Sequence, residues 1–309
     1  MRAYTAVVNP AAGGGRAAAA LVPVAWRLRA AGSPVTVAYS RSLDDACQLA
    51  REAAGHGEVV VAVGGDGMVG AVAGAVVDAG GVLGIVPAGR GNDFARQVGL
   101  PHDPDALARV LLEGEPRLVD VAEADGRVVV GSVYAGVDSA ASRIVNRARL
   151  VPRRIVYPYA AVRALATFRP ATYRISVDGE ELTERAYTVV AANSGYYGAG
   201  MHIAPDARVD DGVLDVVVIR AVSRLRLAAA LRELYPGTHT RRPEVLVLRG
   251  REVRVAAERP IPVYGDGDPI GVLPVTVRVR PGALRLLSPP DPTPAGHGPG
   301  LPRLRRAAK

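Results

Sequence analysis

The sequence has little of several residues whose scarcity excludes whole classes of function. It has one cysteine, Cys47, which can close no internal disulfide and supplies no cluster for zinc. It reads as a small apolar residue on a helix face. Lysine is nearly missing: among 38 lysines and arginines only Lys309 is a lysine, so no lysine of the folded body can act in catalysis or bind phosphate. Aromatic residues make up 5% of the chain and no nucleic-acid recognition motif appears, so nucleic acid is not expected as a partner. The net charge of +8 still favours an anionic partner. Long apolar runs are also missing. Gly57 to Val63 and Val213 to Ile219 are strand-sized, far short of the ~20 residues of a membrane-spanning helix, so no transmembrane segment is expected. Met1 to Asn9 runs straight into a strand pattern without the features of a signal peptide. A cytoplasmic protein is expected, with peripheral contact at the inner membrane face and homodimer formation left open. No internal repeat is visible.

What is present is enough apolar material, 49% of 309 residues, for two cores, and domains of about 100 to 200 residues imply two. The first 120 residues alternate β-branched runs with longer stretches of helical period, the pattern of a parallel sheet with crossover helices. Strands are predicted at Tyr4 to Val8, Val35 to Tyr39, Val59 to Val63 and Val82 to Val86. Helices are predicted at Arg16 to Ala31, Leu43 to Ala54 and Met68 to Ala79. Ser42 with Asp45 forms a candidate cap, and Gly32, Gly55 and Gly80 stand where helices would stop. Pro23 predicts that the first helix is kinked or begins late. Beyond Val119 short runs are broken by Asp-Gly pairs at 125–126, 178–179, 211–212 and 266–267, an antiparallel pattern. Helical interruptions are predicted at Ala140 to Leu150, Pro158 to Phe168 and Arg224 to Tyr235, the last capped by Ser223. The expected division is 1–120, 121–288 and a flexible basic tail over 289–309.

Three glycine-containing turns each follow a predicted strand. The first, Asn9-Pro10-Ala11-Ala12-Gly13-Gly14-Gly15-Arg16, can bring backbone amides close to phosphate, with Arg16 opening the next helix. The second is Gly64-Gly65-Asp66-Gly67. It places an aspartate at the carboxyl end of a central strand, where open α/β sheets bind ligands. Burial there calls for a partner, read as a nucleotide hydroxyl, a metal-bound water or a substrate hydroxyl. The third runs from Pro87 through Gly89, Arg90, Gly91, Asn92, Asp93 and Phe94 to Arg96. Asn92 or Asp93 could also serve simply as a helix cap.

In order and spacing these turns resemble the diacylglycerol kinase catalytic family, with its bacterial lipid kinase and sphingosine kinase relatives. Asn193 and Gly195, Ala204-Pro205-Asp206-Ala207, Asp211-Gly212-Val213-Leu214-Asp215 and Asp266-Gly267-Asp268-Pro269 resemble its C-terminal signature, so the likeness spans Ala3 to Leu287. It implies an α/β protein with an N-terminal Rossmann-like, doubly wound domain and a C-terminal antiparallel β-sandwich. ATP and a lipid at the membrane surface would meet between them, and diacylglycerol is the first substrate expected. The likeness puts ATP on Asn9, the loop from Gly64 to Gly67 and the loop around Arg90. It puts a structural Mg2+ near Arg208, Asp211 and Val213, partly through backbone carbonyls. The family's proton acceptor maps to Asp268, with Asp266 two residues earlier and Asp66 the rival base. Arg16 and Arg90 are the expected phosphate contacts.

Three departures stand out. Met68 and Arg90 replace threonines, and Asp268 replaces a glutamate. They keep a pseudokinase open as an alternative, and the diglycine-aspartate loop keeps NAD kinase open.

Overall fold

The structure, a computed structural model, describes residues 1–10, 12, 15–147 and 155–289. Its first half runs β1 (Tyr4–Val8), α1 (Ala17–Ala30), β2 (Val35–Tyr39), α2 (Leu43–Gly55), β3 (Val59–Gly64), α3 (Asp66–Ala79), β4 (Val82–Pro87), α4 (Asp93–Gln97) and α5 (Pro104–Glu113). The four strands are parallel in the order β2, β1, β3, β4. Strands β1 and β3 are buried at every position, as unbroken apolar runs must be when both sheet faces are covered. Ser42 accepts the amide of Asp45 as predicted, and Gly80 closes α3 in the left-handed region.

Three details of the first half differ from expectation. Helix α1 starts at Ala17 and takes Pro23 into its interior, so the proline delays nothing. Ala19, whose carbonyl loses its hydrogen bond to the proline, is exposed to solvent. Gly55 is still helical and His56 is the cap. Helix α3 begins at Asp66, two residues before Met68.

The second half runs β5 (Pro116–Ala124), β6 (Arg127–Val129), β7 (Ser132–Gly136), α6 (Val137–Arg147), α7 (Val156–Thr167), β8 (Ala171–Val177), β9 (Glu180–Ala192), β10 (Tyr196–Tyr197), β11 (Met201–His202) and β12 (Leu214–Arg220). It continues with α8 (Arg224–Ala230), β13 (Val245–Gly250), β14 (Glu252–Ala257), β15 (Pro262–Gly265), β16 (Asp268–Val272) and β17 (Val275–Leu287). Pairing within it is antiparallel. Three of the four Asp-Gly pairs, at 125–126, 178–179 and 266–267, have positive φ at both residues and turn hairpins. At 211–212 only the glycine does, and that pair is a loop turn. Helix α6 begins at Val137, earlier than Ala140, while 148–150 and the tail from 290 onward lie outside the described residues. Helix α8 is capped by Ser223 but ends at Ala230, where a 3-10 turn over Leu231–Leu234 takes over.

Two long strands run through two of the hydrophobic cores. Val275, Val277 and Val279 of β17 pack in the second core, and Leu284, Leu286 and Leu287 of the same strand pack in the first. Its partner β5 does likewise, with Val119 and Val121 in one and Ala122 and Ala124 in the other. Asp120 lies where β5 changes core. Its buried carboxylate accepts the amides of Gly212 and Gly282, both at 2.7 Å. Asn193, fully buried, donates to the carbonyls of Asp120 and Val130, each at 2.9 Å. Hydrogen bonds to a charged group are worth about 1.5 to 3 kcal/mol each, so Asp120→Ala is expected to lower unfolding free energy by about 3 kcal/mol in urea titrations. A loss below about 0.5 kcal/mol, ordinary for a surface site, would show that the junction does not depend on this carboxylate.

Candidate active site

The three glycine turns lie side by side at the carboxyl ends of β1, β3 and β4. Asn9 and Ala12 of the first line a cleft, and the Asn9 amide donates to Val63 across to β3 at 3.3 Å. Gly13 and Gly14 fall outside the described residues. Arg16 is exposed and is not part of the cleft wall. The second and third turns touch backbone to backbone: a β-carbon on Gly89 would come within 2.4 Å of the Gly65 Cα, so only glycine fits there. Gly64 lies beneath the cleft, with Met68 packed against it.

Aspartates fix the shape of these turns. Asp66 Oδ1 accepts the amides of Asp93 at 2.6 Å and Phe94 at 3.3 Å, so α4 is capped from the neighbouring turn, not by Asn92 or Asp93. Main-chain amides thus occupy Oδ1, and Asp66 also lines the cleft. Asn92 sits at φ 49° and folds its side chain back, accepting the Gly89 amide at 2.8 Å and donating to the Gly89 carbonyl at 3.3 Å. Asp93 accepts the amides of Ala199 at 2.9 Å and Gly200 at 2.7 Å, pinning a loop of the second half onto the first. Burial raises Asp66 above the usual carboxylate range despite its amide partners. Burial, reinforced by the Asp66 charge, pushes Asp93 to about 6.

The turn between β15 and β16 forms the facing wall. Asp266 accepts the amides of Val130 and Gly131, each at 2.9 Å, and burial pushes it to about 7, with Asp66 adding to the shift. Asp268 is different. Its side chain is half-buried and makes no hydrogen bond among the described residues. Its Oδ2 lies 2.9 Å from where a β-carbon on Gly67 would be, so the carboxylate rests against the first turn of α3. Burial raises Asp268, and the Arg127 charge opposes the shift. Arg90 is exposed on the cleft rim.

The cleft is continuous with an apolar chamber, together about 1100 Å³. The chamber is walled by α6, α7, α8 and the turn that follows, through Val145, Ala160, Ala164, Leu227, Leu231 and Leu234. Where chamber meets cleft, Thr188 donates to Asp138 at 2.6 Å and Tyr134 shares a hydrogen bond with Ser142 at 2.9 Å. Burial pushes Asp138 to about 6.

The residues expected to hold a metal sit apart from the cleft. Arg208 pairs with Asp210 at 3.1 Å, and Asp211 bonds Arg249 and accepts the Val213 amide at 3.3 Å. Behind them Asp215 is 1% exposed, and neither oxygen accepts a hydrogen bond, although Arg249 Nε lies 3.4 Å away. Burial pushes Asp215 to about 7 and raises Asp211. Among the described residues no three His, Cys, Asp or Glu side chains are grouped to hold a metal by themselves.

Residues 3–124 match the model of the diacylglycerol kinase catalytic domain, and residues 131–288 match that of the YegS C-terminal NAD kinase beta sandwich-like domain. A diacylglycerol kinase of Mycobacterium tuberculosis is 33% identical, over 92% of this chain and 94% of that protein. The chain belongs to the diacylglycerol kinase family. A second relative, the diacylglycerol kinase of Bacillus subtilis, is 23% identical over 89% of this chain and 92% of its own. A crystal structure of a diacylglycerol kinase from Bacillus anthracis superposes with a TM-score of 0.72 at 20% identity, covering 94% of this chain and 97% of that one. That likeness bears out the fold, a parallel-sheet α/β half followed by a β-sandwich-like half. The chain is therefore a lipid kinase, a phosphotransferase whose family implies ATP as donor. No helix among the described residues is long and apolar enough to cross a membrane.

The sequence motifs did not point to Asp120, Asp138, Thr188 or Tyr134. Asp215 belongs to the C-terminal signature and is buried without a hydrogen-bond partner among the described residues. Its proton is held more tightly in the folded chain than in the unfolded one, where an aspartate titrates near ~3.9. The stability it contributes is therefore full below that value and is lost as pH rises through about 7. In metal-free buffer, Asp215→Asn is expected to melt higher than the unsubstituted chain at pH above about 7, with the gap closing toward about pH 4. A gap independent of pH would contradict the titration.

Proposed function

We propose that this lipid kinase transfers the γ-phosphate of ATP to the free hydroxyl of diacylglycerol, giving phosphatidic acid for phospholipid synthesis. The observation that carries this reading is the continuity of the glycine-loop cleft with the apolar chamber, with Asp268 lining the cavity against Gly67. Acyl chains fit a chamber of aliphatic side chains. Amide-lined turns of Gly65, Gly67, Gly89 and Gly91 suit a triphosphate, with Asn9 and Arg90 beside them. We assign residues 1–120 to nucleotide and 121–288 to lipid.

The four acids divide the work in this reading. Asp93 and Asp266 spend both oxygens on main-chain amides, Asp66 spends Oδ1, and the three position the walls. Asp268 has oxygens to spare and takes the hydroxyl proton as the lipid oxygen bonds to the γ-phosphorus and ADP departs. A raised pKa suits a base working near neutrality. As pH falls through that raised value the carboxylate gains a proton and the rate drops, earlier than an ordinary aspartate would require.

Magnesium accompanies ATP as its counter-ion, and a resident Mg2+ is proposed at Asp211 with the main-chain carbonyls of Arg208 and Val213. The residues fit: the donors are all oxygen, as a hard cation prefers, and Asp215 behind them is a buried carboxylate without a hydrogen bond. A cation there would offset the charges of Asp211 and Asp215 and steady the loop that bonds Asp120.

The test is phosphate transfer from labelled ATP to diacylglycerol in mixed micelles. Asp268→Asn is expected to lose about 100-fold or more in kcat, the scale of a general base, with little change in KM for ATP. Asp66→Asn should affect both. Equal rates for all three proteins would remove the assignment, and no transfer by the unsubstituted chain would favour a binding protein without turnover.

A further inference from the structure

The hairpin that carries Asp268 is held by a second stretch of chain. The Asp125-Gly126 turn joins β5 to β6 and brings residues 127–131 alongside β15 and β16. At one end of this contact the amides of Val130 and Gly131 bind Asp266, each at 2.9 Å. In the middle a β-carbon on Gly265 would come within 2.7 Å of Val129 Cγ2. At the other end Arg127 Nη1 donates to the Pro269 carbonyl at 3.0 Å. Asp268 therefore lies between two tethered residues, Asp266 before it and Pro269 after it. Its own carboxylate accepts no hydrogen bond among the described residues.

Arg127 also brings a charge to this carboxylate. Burial raises Asp268, and the Arg127 guanidinium opposes the shift. Most of the other ionisable groups about the hairpin are acids. Asp66 and Asp266 line the same cavity, and an Asp125 oxygen lies 3.4 Å from where a β-carbon on Gly271 would be. Tyr264 of β15 feels the Asp268 charge, and Arg143 and Arg147 of α6 act on that tyrosine. Arg127 itself is exposed and is not part of the cavity wall, so any effect on the reaction runs through the hairpin. An exposed ion is ordinarily worth little because its side chain wanders. Here the bond to a main-chain carbonyl fixes where the charge sits.

We infer that Arg127 is a positioning residue for the base: through the Pro269 carbonyl it fixes the turn that presents Asp268, and its charge keeps that carboxylate ionised for proton transfer. The inference rests on the reading of Asp268 as the base. Asp66, Asp266 and an incoming triphosphate are all negative, and each favours a proton on Asp268. Arg127 counters them from outside the wall, where it does not compete for phosphate. An arginine that merely tied the hairpin down would lower the rate by the same factor at every pH, whereas one that sets the ionisation of Asp268 changes the pH profile.

The experiment measures kcat against pH for transfer from ATP to diacylglycerol in mixed micelles of neutral detergent, beside an NMR titration of the full chain carrying isotope-labelled aspartate. The Asp268 carboxyl resonance is identified by its loss in Asp268→Asn. Arg127→Gln is expected to move both the acid limb of kcat and the Asp268 titration to higher pH. The rate below the midpoint should then fall about threefold or more beyond any loss on the plateau, a modest effect because the guanidinium is exposed. Arg127→Lys keeps the charge and should leave both curves near those of the unsubstituted protein. Added salt should carry the unsubstituted protein part of the way toward Arg127→Gln. An Asp268 titration that stays in place in Arg127→Gln would overturn the inference. So would an equal displacement in Arg127→Lys, which would leave Arg127 a structural tie. If the resonance moves in Arg127→Gln while kcat is indifferent to Asp268→Asn, Arg127 stands as the group that sets this carboxylate and the base reading fails.

Discussion

The architecture of the site depends on one repeated interaction: an aspartate carboxylate accepting two main-chain amides from a distant part of the chain. Asp66 takes those of Asp93 and Phe94, Asp93 those of Ala199 and Gly200, Asp266 those of Val130 and Gly131, and Asp120 those of Gly212 and Gly282. Charge-assisted bonds of this kind are short and directional, and that of Asp120 to Gly282 spans the break in register between β5 and β17. Asp66 to α4 and then Asp93 to the 199–200 loop form a chain of restraint from β3 into the second half. Burying Asp66, Asp93 and Asp266 opposes their ionisation, and their raised pKa values are the cost.

Against that rigid background Asp268 stands out because it restrains nothing. It follows Asp266 by two residues at a type I′ turn, so the positioning of one carboxylate fixes where the other points. The same division appears across the cleft, where glycines hold the second and third turns at backbone contact while the space above them stays open. A chemical group free to accept a proton is thereby held in place by groups that are not free.

Much of the fold was legible in residue order. The buried strands β1 and β3 read as unbroken apolar runs, and three of four Asp-Gly pairs turned the hairpins their φ preference implies. The glycine turns and Asp268 were legible as motifs. The caps were not: Asp66 reaches an amide 27 residues away and Asp93 one 106 residues away, and side-chain bonds across such distances leave no period in a sequence. Asn92 looked like a cap because asparagine favours that place, yet its left-handed backbone turned the side chain onto Gly89.

The most direct measurement is a crystal structure with a non-hydrolysable ATP analogue. The triphosphate should lie over the turns at 64–67 and 89–93, with the terminal phosphate facing Asp268 and the Asp66 and Asp93 amide bonds intact. A nucleotide bound away from those turns, or an Asp268 carboxylate directed out of the cleft with ATP in place, would contradict the account.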